Sequence, residues 1–356
     1  MKILHIITNT ALGGAQKVCI DLCRSAIKEG NSVAVTSMAG GYLWEQLPQE
    51  VAKFKLKNMV KQIKMKSDLK VFFELKDVVR QYKPDIIHLH SSKAGVLGRL
   101  VAFPYCHRVI YTVHGFDSIR LKYRKFLPLE RILQYFCGAI VGVSDYDNKN
   151  LKSERIKNNV CTIYNGIEEN TIVHATQLPI KTDKRIILTI ARISPPKKLQ
   201  MFLDVARKLP EYDFIWLGGD PEHTTDELPV VYDVPTNAHL LGDIPNASKY
   251  IKFCDLFVLF SDFEGLPMTI IEAMSQKKAV VASNVGGIYE LIDESNGCLI
   301  NNNVDYAIEA IKHILSDDDL RLKMEENSYK KYKEKFTLKK MWTDYKVIYE
   351  KLICNK

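Results

Sequence analysis

The most informative part of the sequence runs from Asp255 to Glu290 and reads DLFVLFSDFEGLPMTIIEAMSQKKAVVASNVGGIYE. Two apolar runs typical of buried strands flank a segment with helical spacing, and this order predicts a strand–helix–strand unit. Pro267 suits the first helical turn, because an N–H group at that position has no partner within the helix. The free N–H groups of the turn, with Gly265 allowing close approach, favour an oxygen-rich or anionic ligand.

Two carboxylates flank this turn. Glu264 lies in the loop, and Glu272 lies about a turn and a half into the predicted helix. Carboxylates accept hydrogen bonds from hydroxyl groups, so the pair suits a sugar or a ribose. The spacing alone would also fit two surface glutamates on a crossover helix. The surrounding EGLP, EAM and Gly286-Gly287 elements favour a binding site.

The rest of the chain alternates strand and helix patterns in two series. The first begins with KILHIIT at the N-terminus, and the second restarts near Arg185 with RIILTIAR. Such alternation predicts an α/β protein with two mostly parallel, doubly wound sheets. The tail from Tyr306 onward is helical in pattern and ends in an apolar stripe between Phe336 and Tyr349.

The Glu264-x7-Glu272 pattern, with EGLP and AVVASNVGG around it, resembles the signature of retaining glycosyltransferases of family 4. The resemblance implies the GT-B fold, in which two Rossmann-like domains enclose an interdomain cleft and a C-terminal helix crosses back to the N-terminal domain. It also implies an acceptor-binding domain over residues 1–175, a nucleotide-sugar-binding domain over 176–335 and the returning helix over 336–356.

Two cations follow the first strand of the second series. The segment ARISPPKKLQ places Arg192 and Lys197 five residues apart, and fixed cations suit a diphosphate both when it is bound and as it departs. The segment resembles the Arg-x4-Lys diphosphate clamp of the family. The family commonly has Gly where this chain has Lys198, so Lys198 stays an alternative to Lys197, which the register favours.

The same resemblance implies roles for other positions. Glu264, with the backbone of Gly265, Leu266 and Pro267, would hold the donor sugar, and Glu272 would hold the ribose. Gly13-Gly14 would lie beside the donor phosphate and the acceptor, and His114, at the end of the strand VIYTVHG, would contact the transferred sugar. Gly218-Gly219-Asp220 and the segment from Leu241 to Ile244 match a turn and the base-binding segment of the family.

No cofactor or metal is expected. The Gly13-Gly14 loop is not GxGxxG, and no acidic residue ends the next strand, SVAVTSM, which argues against a dinucleotide. The eight cysteines form no CxxC pair, and this pattern is typical of a reducing compartment without structural zinc or disulfides. His88 and His90 alternate along one strand, but no third ligand is evident in the sequence.

The positive charge is concentrated in the first half. Residues 1–180 contain 26 Lys and Arg against 15 Asp and Glu, or +11, and the remainder contains 24 against 27, or −3, giving the total of +8. Residues 53–66 and 120–131 mix basic with apolar residues, as binding to anionic lipid requires. A solvated charged face is an equal alternative. Nucleic acid is not favoured, since no recognised binding motif accompanies the charge.

The resemblance implies a retaining hexosyltransferase that moves a sugar from a nucleotide-diphosphate sugar to a glycan acceptor. With the basic, apolar-studded segments, it leads us to expect a lipid-linked acceptor in surface polysaccharide biosynthesis. The N-terminal apolar run is too short for a signal sequence, so we expect a cytoplasmic protein, peripheral at the inner face of the membrane. Alternatives are a catalytically silent nucleotide-sugar-binding partner of another transferase, and a nucleotide-sugar epimerase or a phosphorylase with the same fold.

Overall fold

A computed structural model describes residues 1–11, 13–169, 177–178, 180–219 and 232–354. The chain divides into two compact units. The first contains Met1–Gly166 together with Leu338–Lys356, and the second contains Ile167–Thr337. The boundary predicted between residues 175 and 176 lies outside the described residues.

The first unit is built on a seven-stranded parallel sheet. Its strands are β1 (Lys2–Ile7), β2 (Ser32–Met38), β3 (Ala52–Leu56), β4 (Ile86–His90), β5 (Val109–Val113), β6 (Ala139–Gly142) and β7 (Val160–Thr162). Their order in the sheet is β3-β2-β1-β4-β5-β6-β7. Strands β4 and β5 are buried along their whole length, as expected for a parallel sheet covered by helices on both faces.

The helices of the first unit connect successive strands. They are α1 (Gly14–Lys28), α2 (Tyr42–Gln46), α3 (Met65–Tyr82), α4 (Ser92–Val101), α5 (Leu127–Leu133) and α6 (Asp145–Ser153). Short 3-10 and π-helical turns cover Phe103–Arg108, Ser118–Lys122, Arg124–Phe126 and Gln134–Phe136. The core is apolar and contains side chains from the sheet, such as Leu4 and Ile87, and from helix α3, such as Val71 and Leu75.

The second unit repeats the architecture with six parallel strands. They are β8 (Ile186–Ile190), β9 (Asp213–Leu217), β10 (Ala238–Leu240), β11 (Leu256–Leu259), β12 (Val280–Ser283) and β13 (Gly297–Ile300), in the order β10-β9-β8-β11-β12-β13. The helices are α7 (Leu199–Lys208), α8 (Met268–Ser275), α9 (Ile288–Leu291), α10 (Val304–Leu315) and α11 (Asp318–Lys335), with a 3-10 helix at Ala247–Phe253.

The terminal helix α12 (Leu338–Cys354) belongs to the first unit, as predicted. Its apolar stripe is buried: Trp342, Tyr345 and Tyr349 are at most 5% exposed. The Trp342 indole N–H donates to the Glu29 carboxylate over 2.7 Å, and the Tyr349 hydroxyl bonds His88 over 2.7 Å. The returning helix is therefore fixed to α1 and to the centre of the sheet.

Part of the basic segment 53–66 has regular structure. Residues 52–56 form the edge strand β3, in which alternate residues Phe54 and Leu56 pack on the core while Lys53 and Lys55 face solvent. Helix α3 begins at Met65, and the Asp68 carboxylate accepts the Lys64 backbone N–H over 3.1 Å at its start. In the described part of the chain, no helix combines the length and apolarity needed to cross a bilayer.

Candidate functional site

The residues predicted to bind the donor follow the two central strands of the second sheet. The strand order reverses between β8 and β11, which are neighbours. Arg192 and Lys197 lie in the loop after β8, and Glu264 lies in the loop after β11. In open parallel sheets, ligands bind beyond the carboxyl ends of the strands at this reversal. The sheet topology therefore brings the predicted cations and the predicted carboxylate to one place.

Backbone contacts join these two loops. Lys197 and Ser261 form an isolated antiparallel bridge. The Lys198 N–H donates to the Phe260 carbonyl over 3.1 Å, and the Asp262 N–H donates to the Pro196 carbonyl over 2.9 Å. The loop after β8 is thus held against the loop after β11 by main-chain hydrogen bonds, which do not depend on side-chain identity.

The Glu264 carboxylate is held by two donors. The Lys197 ammonium forms a short ion pair with its Oε1 atom, and the Ser261 hydroxyl donates to the same oxygen over 2.7 Å. The side chains of Lys197 and Glu264 are only 19% and 12% exposed. Lys198 instead pairs with Asp262 over 2.8 Å, and the Asp262 side chain is 48% exposed. Of the two candidate lysines, Lys197 is the one that contacts Glu264.

A buried network positions Ser261 in turn. The Ser261 N–H donates to the Ser283 hydroxyl over 3.0 Å, and the Asn302 amide donates to the Ser261 carbonyl over 2.8 Å. The Ser283 hydroxyl donates to the Asn302 amide oxygen over 2.5 Å. Ser261 and Ser283 are fully buried. Sequence reasoning missed these three residues, although Ser283 ends β12 and Ser261 lies just beyond β11, where site residues of parallel sheets gather.

The backbone of Glu264 packs directly on a glycine. Gly286 has φ +58, and a Cβ atom built on it would lie 1.8 Å from the Glu264 carbonyl oxygen. The Gly287 N–H donates to the Gly265 carbonyl over 2.9 Å. The Gly286-Gly287 pair therefore packs against the Glu264–Gly265 loop and shapes it.

Helix α8 begins directly after this loop. Pro267 is the residue that precedes the helix, with φ −68 and ψ 121, rather than its first residue. Leu266 is buried at 4% exposure, and Glu272 lies in the middle of the helix at 8% exposure. Gly265 remains partly exposed. The first-turn N–H groups and the Glu264 carboxylate thus lie at the same end of α8, as the sequence predicted.

Arg192 differs from Lys197. It is exposed, and it has no hydrogen bond or ion pair with another residue of the described ranges. A guanidinium in this state is available for an anionic ligand, and its planar donors suit two phosphate oxygens at once.

The loops after β9 and β10 pack on the Arg192 loop. A Cβ atom on Gly219, which has φ +78, would lie 2.4 Å from the Ile193 nitrogen. The Gly219 N–H donates to the Asp243 carboxylate over 2.6 Å, and the Gly218 N–H donates to the Gly242 carbonyl over 2.7 Å. Ile244, half-buried, follows directly. Asp220, also singled out from the sequence, lies outside the described residues.

The first unit holds the remaining predicted residues. Gly13 precedes α1 in an extended conformation, and Gly14 is the first residue of the helix and is exposed. The Gln16 amide donates to the Asn9 carbonyl over 2.8 Å and so braces the loop after β1. His114 follows β5 and is half-buried. Strands β1 and β5 both flank β4 in the sheet.

His114 and three further imidazoles lie against one another. This histidine cluster consists of His5, His88, His90 and His114. The His114 Nε2 atom lies 3.0 Å from His90 Nδ1, and the His90 Nε2 atom lies 3.1 Å from His5 Nδ1. His88 bonds the hydroxyls of Tyr349 and Thr112, each over 2.7 Å. His88 and His90 are thus core residues of this cluster.

Burial keeps the histidine cluster uncharged. Desolvation lowers the pKa of His5 to about 3 and that of His114 to about 4. It also lowers the pKa values of His88 and His90 well below the ordinary value, and repulsion from the neighbouring histidines adds to the shift. All four rings are therefore neutral imidazoles near neutral pH, each with one N–H.

One group of metal-ligand type exists among the described residues. His5, Cys19 and His90 each offer an atom within 4.8 Å of the others, and all three are buried. His5 Nδ1 hydrogen bonds to His90 Nε2, and His90 Nδ1 hydrogen bonds to His114 Nε2. The predicted donor residues Arg192, Lys197, Glu264 and Glu272 do not belong to it.

Several residues of the two basic segments are buried or paired with carboxylates, so fewer of them can contact a lipid surface than the sequence suggested. In residues 53–66, Leu56 and Met59 are buried in the core, whereas Ile63 and Met65 are 64% and 86% exposed. In residues 120–131, three of the five basic side chains have carboxylate partners: Arg120 with Asp117, and Arg124 and Arg131 with Glu154. The exposed apolar residues continue along α3 with Leu69 and Phe73.

Comparison with known proteins gives concordant matches over most of the chain. Residues 12–171 match the model described as Glycosyltransferase Family 4, and residues 171–331 match Glycosyl transferases group 1. The O-antigen biosynthesis glycosyltransferase WbnH of Escherichia coli is 29% identical over 306 residues, which are 84% of this chain and 86% of WbnH.

Two further proteins resemble the whole chain. The UDP-Gal:alpha-D-GlcNAc-diphosphoundecaprenol alpha-1,3-galactosyltransferase of Escherichia coli is 28% identical over 389 residues, covering 100% of this chain and 98% of that protein. The crystal structure of Anabaena HepE in complex with UDP-glucose has a TM-score of 0.82 at 20% identity and covers 99% of each chain. The predicted GT-B fold is confirmed by this likeness and by the two parallel sheets.

Proposed function

Because the chain belongs to glycosyltransferase family 4, we propose that it is a retaining hexosyltransferase of surface polysaccharide biosynthesis. The donor is a nucleotide-diphosphate sugar, and the acceptor is a lipid-linked glycan. The observation that carries the proposal is the pairing of Lys197 with Glu264 at the strand reversal of the second sheet, with exposed Arg192 in the adjoining loop.

The cations act on the leaving group. Arg192 and Lys197 bind the diphosphate of the donor, and their fixed charges stabilise the charge that develops as it departs. Without a donor, Glu264 neutralises Lys197; the diphosphate then competes with Glu264 for the ammonium. With these two cations in place, the site has no need of a metal ion to balance the leaving group.

The carboxylates hold the sugars. Glu264 accepts hydrogen bonds from hydroxyls of the donor sugar, helped by the backbone of Gly265, Leu266 and Pro267, and Glu272 accepts them from the ribose hydroxyls. From the resemblance to the family we infer that Gly13 and Gly14 serve the phosphate and the acceptor, that Ile244 serves the base, and that His114 serves the transferred sugar.

Retention follows from attack on the face that the diphosphate leaves. The bond between the anomeric carbon and the phosphate oxygen breaks, the acceptor oxygen bonds that carbon on the same face, and the acceptor proton passes to the departing phosphate. No carboxylate nucleophile is required, in contrast to retaining glycosidases.

The acceptor is proposed to be lipid-linked because of the surface near the start of α3. Exposed Ile63, Met65 and Leu69 alternate there with lysines, as an anionic lipid surface requires. The galactosyltransferase relative acts, by its name, on a diphosphoundecaprenol-linked sugar. This location would make the protein peripheral at the inner membrane face.

The experiment offers UDP-galactose, UDP-glucose and GDP-mannose to the protein with a polyprenyl-diphosphate-linked N-acetylhexosamine, and determines the product anomer by NMR. We expect transfer from one donor with the anomeric configuration unchanged. An inverted product would refute retention. Binding of a donor without transfer to any acceptor would favour a silent binding partner, and a changed sugar nucleotide would favour an epimerase.

Membrane binding is tested separately. We expect co-sedimentation with vesicles that contain about 30% anionic lipid, and loss of it when Ile63 and Met65 are both changed to Ser. Val347, which is 59% exposed on α12, provides the matched control as Val347→Ser. Equal binding to neutral vesicles would contradict the proposal.

A further inference from the structure

The buried end of the histidine cluster limits where protons can lie in it. Three of its rings form a continuous chain of hydrogen bonds, from His114 through His90 to His5. At the inner end, His5 is fully buried, and its Nε2 atom has no hydrogen-bond partner among the described residues. At the outer end, His114 Nδ1 has no partner in the described ranges and is not among the fully buried unpartnered atoms.

Neutral rings allow only two arrangements of three protons. Each link between rings needs one N–H, and each ring carries one. If His114 has its proton on Nδ1, then His90 must donate from Nδ1 to His114, and His5 must donate from Nδ1 to His90. If His114 has its proton on Nε2, all three rings are Nε2–H. The three tautomers are therefore coupled, all Nδ1–H or all Nε2–H.

The inner end distinguishes these arrangements. In the all-Nε2–H arrangement, the Nε2–H donor of His5 would be buried and unpaired. Buried N–H donors without a partner are rarer in folded proteins than buried acceptors without one. In the all-Nδ1–H arrangement, the same atom is a bare acceptor. A proton has no hydrogen-bonded route to this atom among the described residues, so the chain does not switch by itself.

We propose that His5 and His90 are positioning residues that fix His114 as an Nδ1–H donor. His114 then offers its proton to an acceptor oxygen, such as a hydroxyl or ring oxygen of a sugar, and its Nδ1 atom does not act as a base. The catalytic consequence rests on the proposed function, whereas the tautomer itself does not.

The groups that surround the chain of three rings leave this arrangement intact. His88 stacks on His90 with ring centroids 4.1 Å apart, but its own nitrogens bond the Tyr349 and Thr112 hydroxyls. Burial raises the pKa of Tyr345 well above its ordinary value, so this phenol stays neutral beside Thr112. Cys19 lies beside His5 and His90 and is buried.

The test is long-range ¹H–¹⁵N correlation NMR of the whole protein with ¹⁵N-labelled histidine, without ligand, at pH 7. We expect His5, His90 and His114 all to be Nδ1–H, opposite to the Nε2–H form that free histidine favours. All three as Nε2–H, a mixture among them, or a charged ring would overturn the proposal. So would a stoichiometric metal ion, detected by elemental analysis, because a metal-bound nitrogen cannot take part in the chain of hydrogen bonds.

His90→Phe keeps the stacked ring and removes both nitrogens. We expect His114 to shift toward Nε2–H in this variant, and the turnover number to fall by about tenfold with the donor KM unchanged, as for one lost hydrogen bond in the transition state. His88→Phe removes a stacked imidazole outside the chain of three rings and is the matched control. If His90→Phe does not fold, the histidine tautomers observed in the wild-type spectrum still test the proposal. Inactivity of the wild type would refute the proposed function, but not the tautomer.

Discussion

Changing Gly286 to Ala tests how closely the Glu264 loop must be positioned. The added Cβ atom would lie 1.8 Å from the Glu264 carbonyl oxygen, whereas real Cβ contacts stay above 3.0 Å. The Glu264 backbone must therefore retreat by at least about 1.2 Å. A displacement of about 1 Å in a site costs on the order of 100-fold in rate. We expect nucleotide release from the donor to fall by that order.

Gly30→Ala is the matched control. Gly30 has φ +75, close to the φ +58 of Gly286, but nothing lies within 4 Å of the position that its added Cβ atom would take. Gly30→Ala should lose about 1 kcal/mol of unfolding free energy from backbone strain, and Gly286→Ala about 1–3 kcal/mol more because of the clash, both measured by urea unfolding. Only Gly286→Ala should lose activity. If its turnover stays within about twofold of the wild type, the claim that Gly286 positions Glu264 is wrong.

Three further changes probe the site and the core. Glu272→Ala should raise the donor KM by about tenfold and leave kcat nearly unchanged, and a large fall in kcat would contradict a role in ribose binding. Ser283→Ala leaves the buried Ser261 N–H without an acceptor, so unfolding free energy should fall by about 1–3 kcal/mol in urea titrations; an unchanged midpoint would refute the network. Lowering the pH from 6.5 to 5 should reduce the unfolding free energy by up to about 1.4 kcal/mol per pH unit for each histidine of the cluster, because these rings are protonated when unfolded but neutral when folded. A flat profile over this range would contradict the lowered pKa values.

The sequence could predict that Arg192, Lys197 and Glu264 lie at one edge of the sheet because all three follow strands. Arg192, Lys197 and Glu264 each come after an apolar run, and the carboxyl ends of neighbouring parallel strands meet at one edge. The register of the motif favoured Lys197 and left Lys198 open; the structure adds that Lys197 contacts Glu264, whereas Lys198 pairs with Asp262.

Contacts between residues far apart in the chain were harder to predict from the sequence. Ser283 and Asn302 act on Ser261 across 22 and 41 residues, and nothing local in the sequence marks that contact. The KFKLK segment has the alternation of an edge strand as well as the mixed composition of a lipid-binding surface, and only its pairing with β2 decides between them. The four histidines likewise form a cluster only because the strand register places them against one another.

The role of Lys197 can be measured as nucleotide-diphosphate release by the Lys197→Ala variant, compared with Lys198→Ala, with the active donor and acceptor. Lys197 contacts Glu264 at the strand reversal, whereas Lys198 pairs with the exposed Asp262. If Lys197 stabilises the departing diphosphate, its loss should lower kcat by about 100-fold or more, and Lys198→Ala should remain near the wild type. Full activity in Lys197→Ala would contradict the proposal that Lys197 stabilises the departing diphosphate.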